Sequence, residues 1–334
     1  MTKLIIQIPC LNEAATLPAT LRDLPTQIPG IDRIEVLVVD DGSSDGTADV
    51  ARQGGVDHVV RFRAHKGLAA AFMTGLDTAL GLGADIIVNT DADNQYSGHD
   101  IAALVQPILR EEADIVIGDR NVRALRHMPL TRRWLQLLGS WVVRQVSSTR
   151  VPDTTSGFRA YSREAALRQT IVSEFSYTLE SIIQAGKKRM AIAHVPVATN
   201  ETTRESRLFG SVFTYIKKSA ITIVRIYAMY EPLKVFTMTG SVTFTVGLFI
   251  SLRFLYLYLN GEGQGNVQSL ILSAVLMIVG FQVILIGLMA DVLSSNRKLT
   301  EELLYRIRSM EFRQSARAET SAGDTVAPVE LGKR

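Results

Sequence analysis

The chain has 334 residues, with 36 Lys and Arg against 33 Asp and Glu and a single cysteine, Cys10. This near balance of charge gives no general affinity for nucleic acid, so no nucleic-acid partner is expected. One cysteine excludes internal disulfides and fits a reducing compartment. The length allows one large domain or two modest ones. No secretory signal pattern opens the sequence, so the N-terminal part is expected in the cytoplasm.

The first 200 residues alternate short apolar runs with helical patterns. Five runs are predicted to be strands, at 3–9, 34–40, 58–62, 85–91 and 114–119. Four helices are predicted between them, at 13–24, 47–53, 67–80 and 100–111. Strands that are apolar throughout and separated by helices are typical of an α/β fold with a mainly parallel sheet, covered on both faces. Ligands bind such sheets at the carboxyl ends of the strands.

Two of the predicted strands end in carboxylates. In "NTDADNQ", Asp91 and Asp93 alternate at a strand end, so in an extended conformation both side chains point to the same side. Two neighbouring negative charges favour a cation between them. Mg²⁺ and Mn²⁺ take oxygen ligands and usually keep substrate phosphates as further ligands. The pattern predicts a divalent metal, with Asn94 and Gln95 offering neutral oxygens beside it.

The second acidic strand end is "VVDDGSSDGT", at 38–47. Either Ser44 or Asp45 is expected to cap the following helix. Two adjacent aspartates, Asp40 and Asp41, exceed what a cap needs, and a carboxylate there is able to accept hydrogen bonds from a nucleobase or a ribose hydroxyl. The sequence contains no glycine-rich phosphate loop, no zinc-type His and Cys cluster and no serine nucleophile elbow.

Basic residues recur later in the same region. Each one taken singly fits a solvated surface, but several arginines facing a metal site would suit phosphate oxygens, which guanidinium groups bind in a bidentate manner. The residues are Arg120, Arg132, Arg133, Arg159, Arg204 and Arg207.

Two apolar stretches, 235–259 and 269–290, are each long enough to cross a bilayer. Two buried helices of a soluble protein are the alternative. The connecting loop lacks Lys and Arg whereas both flanks are basic, so the positive-inside rule predicts a hairpin of 235–294 in the cytoplasmic membrane, with both termini in the cytoplasm. Residues 208–234 are expected to form amphipathic juxtamembrane helices, with a core helix as the competing interpretation. A cytoplasmic helix at 295–312 and a disordered tail at 313–334 are expected to follow, and the two spans leave room for helix contacts in a homo-oligomer.

Eight segments follow in the order seen in family 2 glycosyltransferases: IPCLNEAATL, VVDDGSSDGTADVA, HKGLAAAFMTGL, NTDADNQY, IGDR, DTTSGFRAY, FSYTLE and RESRLF. Over roughly residues 1–210 the chain most resembles the dolichyl-phosphate mannose synthase and polyprenyl-phosphate glycosyltransferase group. The paired apolar spans resemble those of the bacterial members.

This resemblance implies a GT-A catalytic domain at 1–207 that moves one sugar from a nucleotide-sugar donor to a polyprenyl phosphate, undecaprenyl or dolichyl, with inversion. It implies a metal held by Asp91, Asp93 and Gln95, and an acceptor phosphate bound by Arg120, Arg132 and Arg133. The donor residues that it implies are Pro9, Glu13, Asp41, Lys66, Asp91, Arg204 and Arg207. The residues to which it gives a catalytic role are Asp93, Arg120, Arg204 and Arg207.

The sequence departs from the family pattern at two positions. Leu11 stands where many relatives carry an aromatic residue, and Arg207 replaces the commoner lysine. UDP-glucose is the favoured donor, with GDP-mannose as the alternative. A processive polysaccharide synthase is a poor fit, because "LTRRW" replaces its QxxRW signature and only two spans follow. A catalytically silent membrane scaffold is the hypothesis from another class.

Overall fold

The computed structural model describes residues 1–120, 140–141, 143–144, 147, 149, 151–171, 177–200, 221, 224–225, 227–261 and 267–323. The chain divides into two compact units, one of Met1–Ile223 with Leu304–Arg334 and the other of Val224–Leu303.

The first unit is built around one seven-stranded sheet. Its strands are β1 (Lys3–Cys10), β2 (Arg33–Asp40), β3 (His58–Arg61), β4 (Ile86–Asn89), β5 (Ile115–Asp119), β6 (Arg159–Ser162) and β7 (Ile192–Pro196). Its helices are α1 (Leu17–Asp23), α2 (Thr47–Gln53), α3 (Leu68–Gly81), α4 (Ile101–Leu109), α5 (Arg163–Arg168) and α6 (Tyr177–Lys187). A short 3₁₀ turn, Gly98–Asp100, precedes α4.

The spatial strand order is β3-β2-β1-β4-β6-β5-β7. Every neighbouring pair is parallel except the two pairs that include β6. Two antiparallel pairings through β6 restore the direction, so the carboxyl ends of the six other strands share one edge of the sheet. Residues 4–6 and Ile8 of β1 are fully buried because β1 is a central strand with helices on both faces.

The predicted α/β architecture is confirmed, and three local predictions are wrong. The sheet has two further strands, β6 and β7, that the apolar runs did not reveal. The first helix begins at Leu17 rather than at residue 13, because residues 12–16 form a turn that starts with Asn12 at φ 53°. The fourth strand ends at Asn89, two residues before Asp91.

The second unit contains the two long apolar stretches of the chain. Two helices, α7 (Pro232–Leu259) and α8 (Val267–Gly323), are long and apolar enough to cross a membrane. The most apolar 18-residue segments of α7 and of Val267–Phe312 in α8 have mean hydropathies of 1.7 and 2.6. Only 6% and 17% of their most apolar segments are buried, whereas the core helices of a soluble protein would be mostly buried. The exposed apolar surface favours membrane helices over the buried-helix alternative.

Glycines let α7 and the second unit's part of α8 pack backbone to backbone. A Cβ added at Gly240 would lie 2.7 Å from the carbonyl oxygen of Gly280, and one at Gly280 would lie 2.6 Å from the amide nitrogen of Phe244. Such close approach is typical of apolar helices that meet through small residues.

The continuation of α8 belongs to the first unit. Arg308 donates from Nη1 to the carbonyl oxygens of Leu167 and Gln169, at 3.0 and 2.9 Å, and pairs through Nη2 with Asp77. These carbonyls lie at the C-terminal end of α5, where helix carbonyls lack partners within the helix. Tyr305 donates 2.9 Å to Glu164 in the first turn of the same helix. Residues 304–312 are therefore a docked part of the first unit.

Candidate active site

Carboxylates from three strand ends gather at the shared edge of the sheet. β1 pairs in parallel with both β2 and β4, so the ends of these three strands are neighbours. The pKa of the buried thiol of Cys10, at the end of β1, is raised first by burial and then by the charges of Glu13, Asp40, Asp91 and Asp45. We call the chain at and just after the ends of β1, β2 and β4 the carboxylate edge; it comprises residues 10–13, 40–47 and 90–95. The predicted convergence of the two acidic motifs is confirmed.

The two aspartates of the DxD motif lie in a turn, not in an extended strand. Asp93 Oδ1 accepts a 3.0 Å hydrogen bond from the amide of Gln95, and Asn94 adopts a left-handed conformation at φ 55°. The prediction that strand alternation aligns the two side chains is wrong, because β4 ends before them. The carboxylates interact nonetheless. The pKa of Asp91 is raised to about 7, first by burial and then by the negative charge of Asp93.

The Asp91 carboxylate fits against a glycine. A Cβ at Gly157 would lie 3.2 Å from both carboxylate oxygens of Asp91 and 2.9 Å from the hydroxyl of Tyr177. Only a residue without a side chain leaves Asp91 this room. The pKa of Asp91 is also affected by Glu13, which raises it, and by Arg120 and Arg159, which lower it, so all three lie within its electrostatic reach.

A buried polar network supports the motif from the end of β4. The side-chain amide of Gln7 donates 2.9 Å to the side-chain oxygen of Asn89. The side-chain nitrogen of Asn89 donates to the backbone oxygen of Gly157 at 2.8 Å and to the Tyr177 hydroxyl at 3.0 Å. Gln7 and Asn89 are fully buried. Buried polar groups in low dielectric are rigid when paired, so this network fixes the two residues that precede Asp91.

Arg120, which follows β5, is held by side chains that the sequence reasoning did not identify. Its Nε and Nη2 donate to the two oxygens of Asp153 at 2.7 and 3.1 Å, and Nη2 also donates to Thr155 Oγ1 at 2.9 Å. The Arg120 side chain is 12% exposed and the Asp153 side chain 1%. Burial alone would raise the pKa of Asp153, but the Arg120 charge and its hydrogen bonds outweigh burial and lower the pKa.

Arg159 does not face the site. It is fully buried and donates only to protein oxygens. Its acceptors are the carbonyls of Thr154, Ser156 and Thr178 and the hydroxyl of Ser181, at 3.0, 2.7, 2.9 and 2.6 Å. The interpretation of Arg159 as either a solvated residue or one of a phosphate-binding set is therefore wrong. It holds the backbone of the loop at 153–158.

Asp41 is 2% exposed and both of its oxygens have protein donors. The amides of Lys66 and Gly67, just before α3, donate to it at 2.7 and 2.9 Å, and His65 Nδ1 lies 2.8 Å from Asp41 Oδ2. Asp41 thus anchors the loop that carries Lys66. Pro9 is buried inside β1, in register with Val39.

An open pocket of about 380 Å³ lies directly after Asp41. It is lined by Gly42, Ser43, Arg61, Phe62 and Arg63. Its polar and aromatic lining at the ends of β2 and β3 suits a planar heterocycle.

The turns after β1 and β2 are bonded to each other. Asp45 accepts from the Ala14 amide at 3.0 Å and from the Thr47 amide at 3.1 Å, which are turn hydrogen bonds. The expectation that Ser44 or Asp45 caps α2 is wrong, because the N-cap residue is Gly46 and α2 has no side-chain cap. The Glu13 amide donates 2.9 Å to Thr47 Oγ1, and the Glu13 carboxylate accepts 2.7 Å from Thr16. These bonds fix Glu13 at the carboxylate edge.

The residues present fit a metal that shares its coordination with a substrate. Within the described part of the chain, no group of three or more His, Cys, Asp and Glu side chains lies close enough to hold a metal ion. Asp91 and Asp93 are instead a pair whose mutual repulsion disfavours two negative charges without a cation. Mg²⁺ and Mn²⁺ are commonly bound by one or two carboxylates plus substrate phosphates, which matches this donor set.

Four predicted site residues, Arg132, Arg133, Arg204 and Arg207, lie outside the described residues. Asn200, four residues before Arg204, is bonded to the DxD turn. Its amide donates 2.9 Å to the Gln95 carbonyl oxygen, and its side chain donates 3.0 Å to the Asn94 carbonyl oxygen. The last described residue before Arg204 therefore lies beside the turn that carries Asp91 and Asp93.

Comparisons with known proteins show the family and the fold. Residues 5–168 match the model of the glycosyl transferase family 2. The chain is 31% identical over 213 residues to the UDP-N-acetylglucosamine–dolichyl-phosphate N-acetylglucosaminyltransferase of Methanococcus voltae, covering 58% of this chain and 83% of the relative. It is also 31% identical over 217 residues to the undecaprenyl-phosphate mannosyltransferase of Micrococcus luteus, covering 61% and 87%.

Among solved structures, the glucosyl-3-phosphoglycerate synthase of Mycobacterium tuberculosis in complex with Mn²⁺, UDP and glucosyl-3-phosphoglycerate is similar, with a TM-score of 0.52. The match has 21% sequence identity and covers 68% of this chain and 79% of that one, which shows a shared GT-A-like fold. The chain belongs to glycosyl transferase family 2. It is a glycosyltransferase.

Proposed function

We propose that the chain transfers a single sugar from a nucleotide-sugar donor to a polyprenyl phosphate at the cytoplasmic face of a membrane, with inversion and with Mg²⁺ or Mn²⁺. The observation that carries this proposal is the placement of Asp91 and Asp93, after β4, at the same edge of the sheet as Arg120, which follows β5 and is fixed by Asp153. A site that joins two carboxylates to a guanidinium is suited to hold a metal–diphosphate and a second phosphate side by side. The two named relatives act on dolichyl phosphate and undecaprenyl phosphate.

The donor would lie along the carboxylate edge. Asp91, Asp93 and Gln95 would hold the metal, which when bound neutralises the charge that develops on the leaving diphosphate. The pocket after Asp41 would take the base, with Phe62 available for stacking in place of an aromatic residue at position 11. Pro9, Glu13 and Lys66 flank this path in our proposal, and Arg204 and Arg207 would complete the diphosphate site.

The acceptor would be oriented by arginines. A phosphate monoester is already anionic at neutral pH, so the nucleophile needs alignment more than a general base. Arg120 supplies a fixed guanidinium close to Asp91, and Arg132 and Arg133 would add charge to the same phosphate. An acceptor with a long apolar chain stays in the bilayer, and α7 and α8 would keep the enzyme at the same membrane.

The test is a transfer assay on the full chain in liposomes that contain undecaprenyl phosphate and Mn²⁺ or Mg²⁺. UDP-glucose is the first donor to test, followed by UDP-N-acetylglucosamine and GDP-mannose, with the glycolipid detected by mass spectrometry. One productive donor is expected, and chelation of the metal should stop its transfer. Absence of glycolipid with every donor from a folded chain would overturn the proposal.

A further inference from the structure

One buried carboxylate beside the site has no role in the proposed reaction. Asp153 holds Arg120 in a two-point contact, from Nε and Nη2, and the side chain is 1% exposed. A two-point arginine–carboxylate contact fixes the plane of the guanidinium as well as its position. Within the described residues, Nη1 of Arg120 donates to no acceptor, so this nitrogen remains for an anion.

The same loop also contacts the metal-binding pair. Thr155 accepts from Arg120 and donates 2.9 Å to Asp153, so it closes a three-membered polar cluster. Gly157, two residues later, packs against the carboxylate of Asp91. Positions 153, 155 and 157 therefore face the site, and five residues of chain connect the Arg120 contact to the Asp91 contact.

The intervening positions are fixed from the opposite side. The backbone carbonyls of Thr154 and Ser156 accept from the buried Arg159, at 3.0 and 2.7 Å. A loop bonded on both sides at alternate positions has little freedom to change the separation of its two contacts.

We propose that Asp153 is a positioning residue that acts through Arg120, fixing the guanidinium so that its remaining edge receives the acceptor phosphate at a set separation from the metal-bound donor. This inference rests on the proposed function and adds the group that aligns the acceptor. Arginine carries several rotatable bonds, so a guanidinium without this partner would sample positions that misalign the nucleophile. Misplacement of a reacting group by about 1 Å costs about 10²-fold in rate.

The experiment compares the full-length wild type with Asp153→Asn, which keeps the size of the side chain and removes its charge. We expect the KM for undecaprenyl phosphate to rise about tenfold or more and kcat for transfer to fall by about 10- to 100-fold. The affinity for UDP with Mn²⁺, or for GDP with Mn²⁺ if GDP-mannose is the donor, should change less than about threefold, because the donor contacts are elsewhere. Glu35→Gln is the matched control. Glu35 is also buried and bonded to cations, Lys3 and Arg33, but it lies near the start of β2, away from the carboxylate edge at the strand's other end. The kinetic constants of Glu35→Gln should therefore match those of the wild type.

A double-mutant cycle separates positioning from a general structural role. If Asp153 acts through Arg120, then Asp153→Asn should add less than about threefold to the defect of Arg120→Lys, since the group that it positions is already lost. Independent, multiplying effects of the two changes would overturn the inference. So would an unchanged acceptor KM in Asp153→Asn, or an equal loss of nucleotide affinity.

Thr155→Val is a milder variant in case Asp153→Asn fails to fold. It removes the hydroxyl that bonds both Arg120 and Asp153, and should raise the acceptor KM about three- to tenfold. No change in that KM would overturn the inference. Wild-type chain that makes no glycolipid refutes the proposed function, whereas active wild type with an unaltered acceptor KM in the variants refutes only the role of Asp153.

Discussion

The carboxylate edge and the loop at 153–158, which precedes β6, hold their charged groups in different ways. At the carboxylate edge, Asp41, Asp45 and Asp93 each accept from backbone amides of turns next to the strand ends. In the loop, Asp153 pairs with Arg120, which lies 33 residues earlier in the sequence. The buried Arg159 donates hydrogen bonds to backbone carbonyls of the loop. Groups held by backbone amides of turns depend on local conformation, whereas the loop depends on buried charge that few substitutions replace.

The comparison yields a division of effects. Changes at the carboxylate edge should act mainly on the rate of sugar transfer or on local turn hydrogen bonds. Changes in the loop should also lower the free energy of unfolding. Four substitutions test this division, in order of decreasing expected effect.

Asp93→Asn should reduce sugar transfer by at least about 10³-fold, because it removes one of the two charges that would hold the metal. The thermal unfolding midpoint should stay close to that of the wild type, since an Asn oxygen still accepts from the Gln95 amide. Glycolipid formation and the unfolding midpoint are measured together. Asp49→Asn, on the exposed side of α2 with an ion pair to Arg52, is the control and should keep full activity. Retained sugar transfer in Asp93→Asn would contradict the proposal that Asp93 holds the metal.

Arg159→Met should destabilise the first unit by about 3–5 kcal/mol, because it leaves several buried carbonyls without donors. Denaturant unfolding in detergent measures the loss. Arg52→Met, at an exposed ion pair, should stay within about 0.5 kcal/mol of the wild type. Equal stability of the two variants would show that the loop does not depend on its buried arginine.

Gly157→Ala should cost about 1–3 kcal/mol and weaken Mn²⁺ binding, because the added methyl would crowd Tyr177 and the Asp91 carboxylate. Gly81→Ala is the control. Its Cβ would meet only ring atoms of Phe312, at 3.7 Å or more, so it should be neutral or stabilising by about 0.5–1 kcal/mol at the end of α3. Calorimetric Mn²⁺ titration and unfolding midpoints distinguish the two glycines, and unaltered Mn²⁺ affinity in Gly157→Ala would contradict the contact.

Asp45→Ala should have the smallest effect, about 1 kcal/mol at neutral pH, as expected for loss of the hydrogen bonds from the Ala14 and Thr47 amides. Burial would raise the pKa of Asp45, but hydrogen bonds from the Thr47 hydroxyl and from backbone amides outweigh it and lower the pKa. A lowered pKa in the folded state stabilises above the unfolded pKa of about 3.9, and this contribution disappears as the pH falls through the folded pKa. The difference in stability between wild type and Asp45→Ala should therefore shrink on acidification, and a difference that grows in acid would contradict the stabilising role of the Asp45 carboxylate.

Much of the carboxylate edge could be predicted from the sequence, because each of its strands is recognisable as an apolar run and parallel strands end at the same edge of a sheet. The loop was less accessible. Asp153 and Arg120 both stand in segments that the family resemblance marked, "DTTSGFRAY" and "IGDR", yet nothing local says that they pair. Their contact requires β6 to lie antiparallel beside β5, and the four residues of β6 carry too little pattern to fix its direction.

The DxD motif shows a different kind of failure. The extended-strand prediction extrapolated the apolar run of β4 by two residues, although "DADN" is rich in residues that form side-chain turns. Asn enters the left-handed region more readily than most residues, so the asparagine at position 94, at φ 55°, is the sequence signal of a turn here. The two carboxylates still interact electrostatically, so the metal site stays a prediction, now with a turn in place of a strand.

The docked segment at 304–312 has a practical consequence for preparing the catalytic part alone. The first unit is not continuous in sequence, so a fragment that stops at residue 223 would omit Tyr305 and Arg308. The carbonyls of Leu167 and Gln169 would then lose their donor, and Asp77 its cation. Joining residues 304–312 to such a fragment by a flexible linker, or supplying them as a separate peptide, should restore solubility and thermal stability that simple truncation loses.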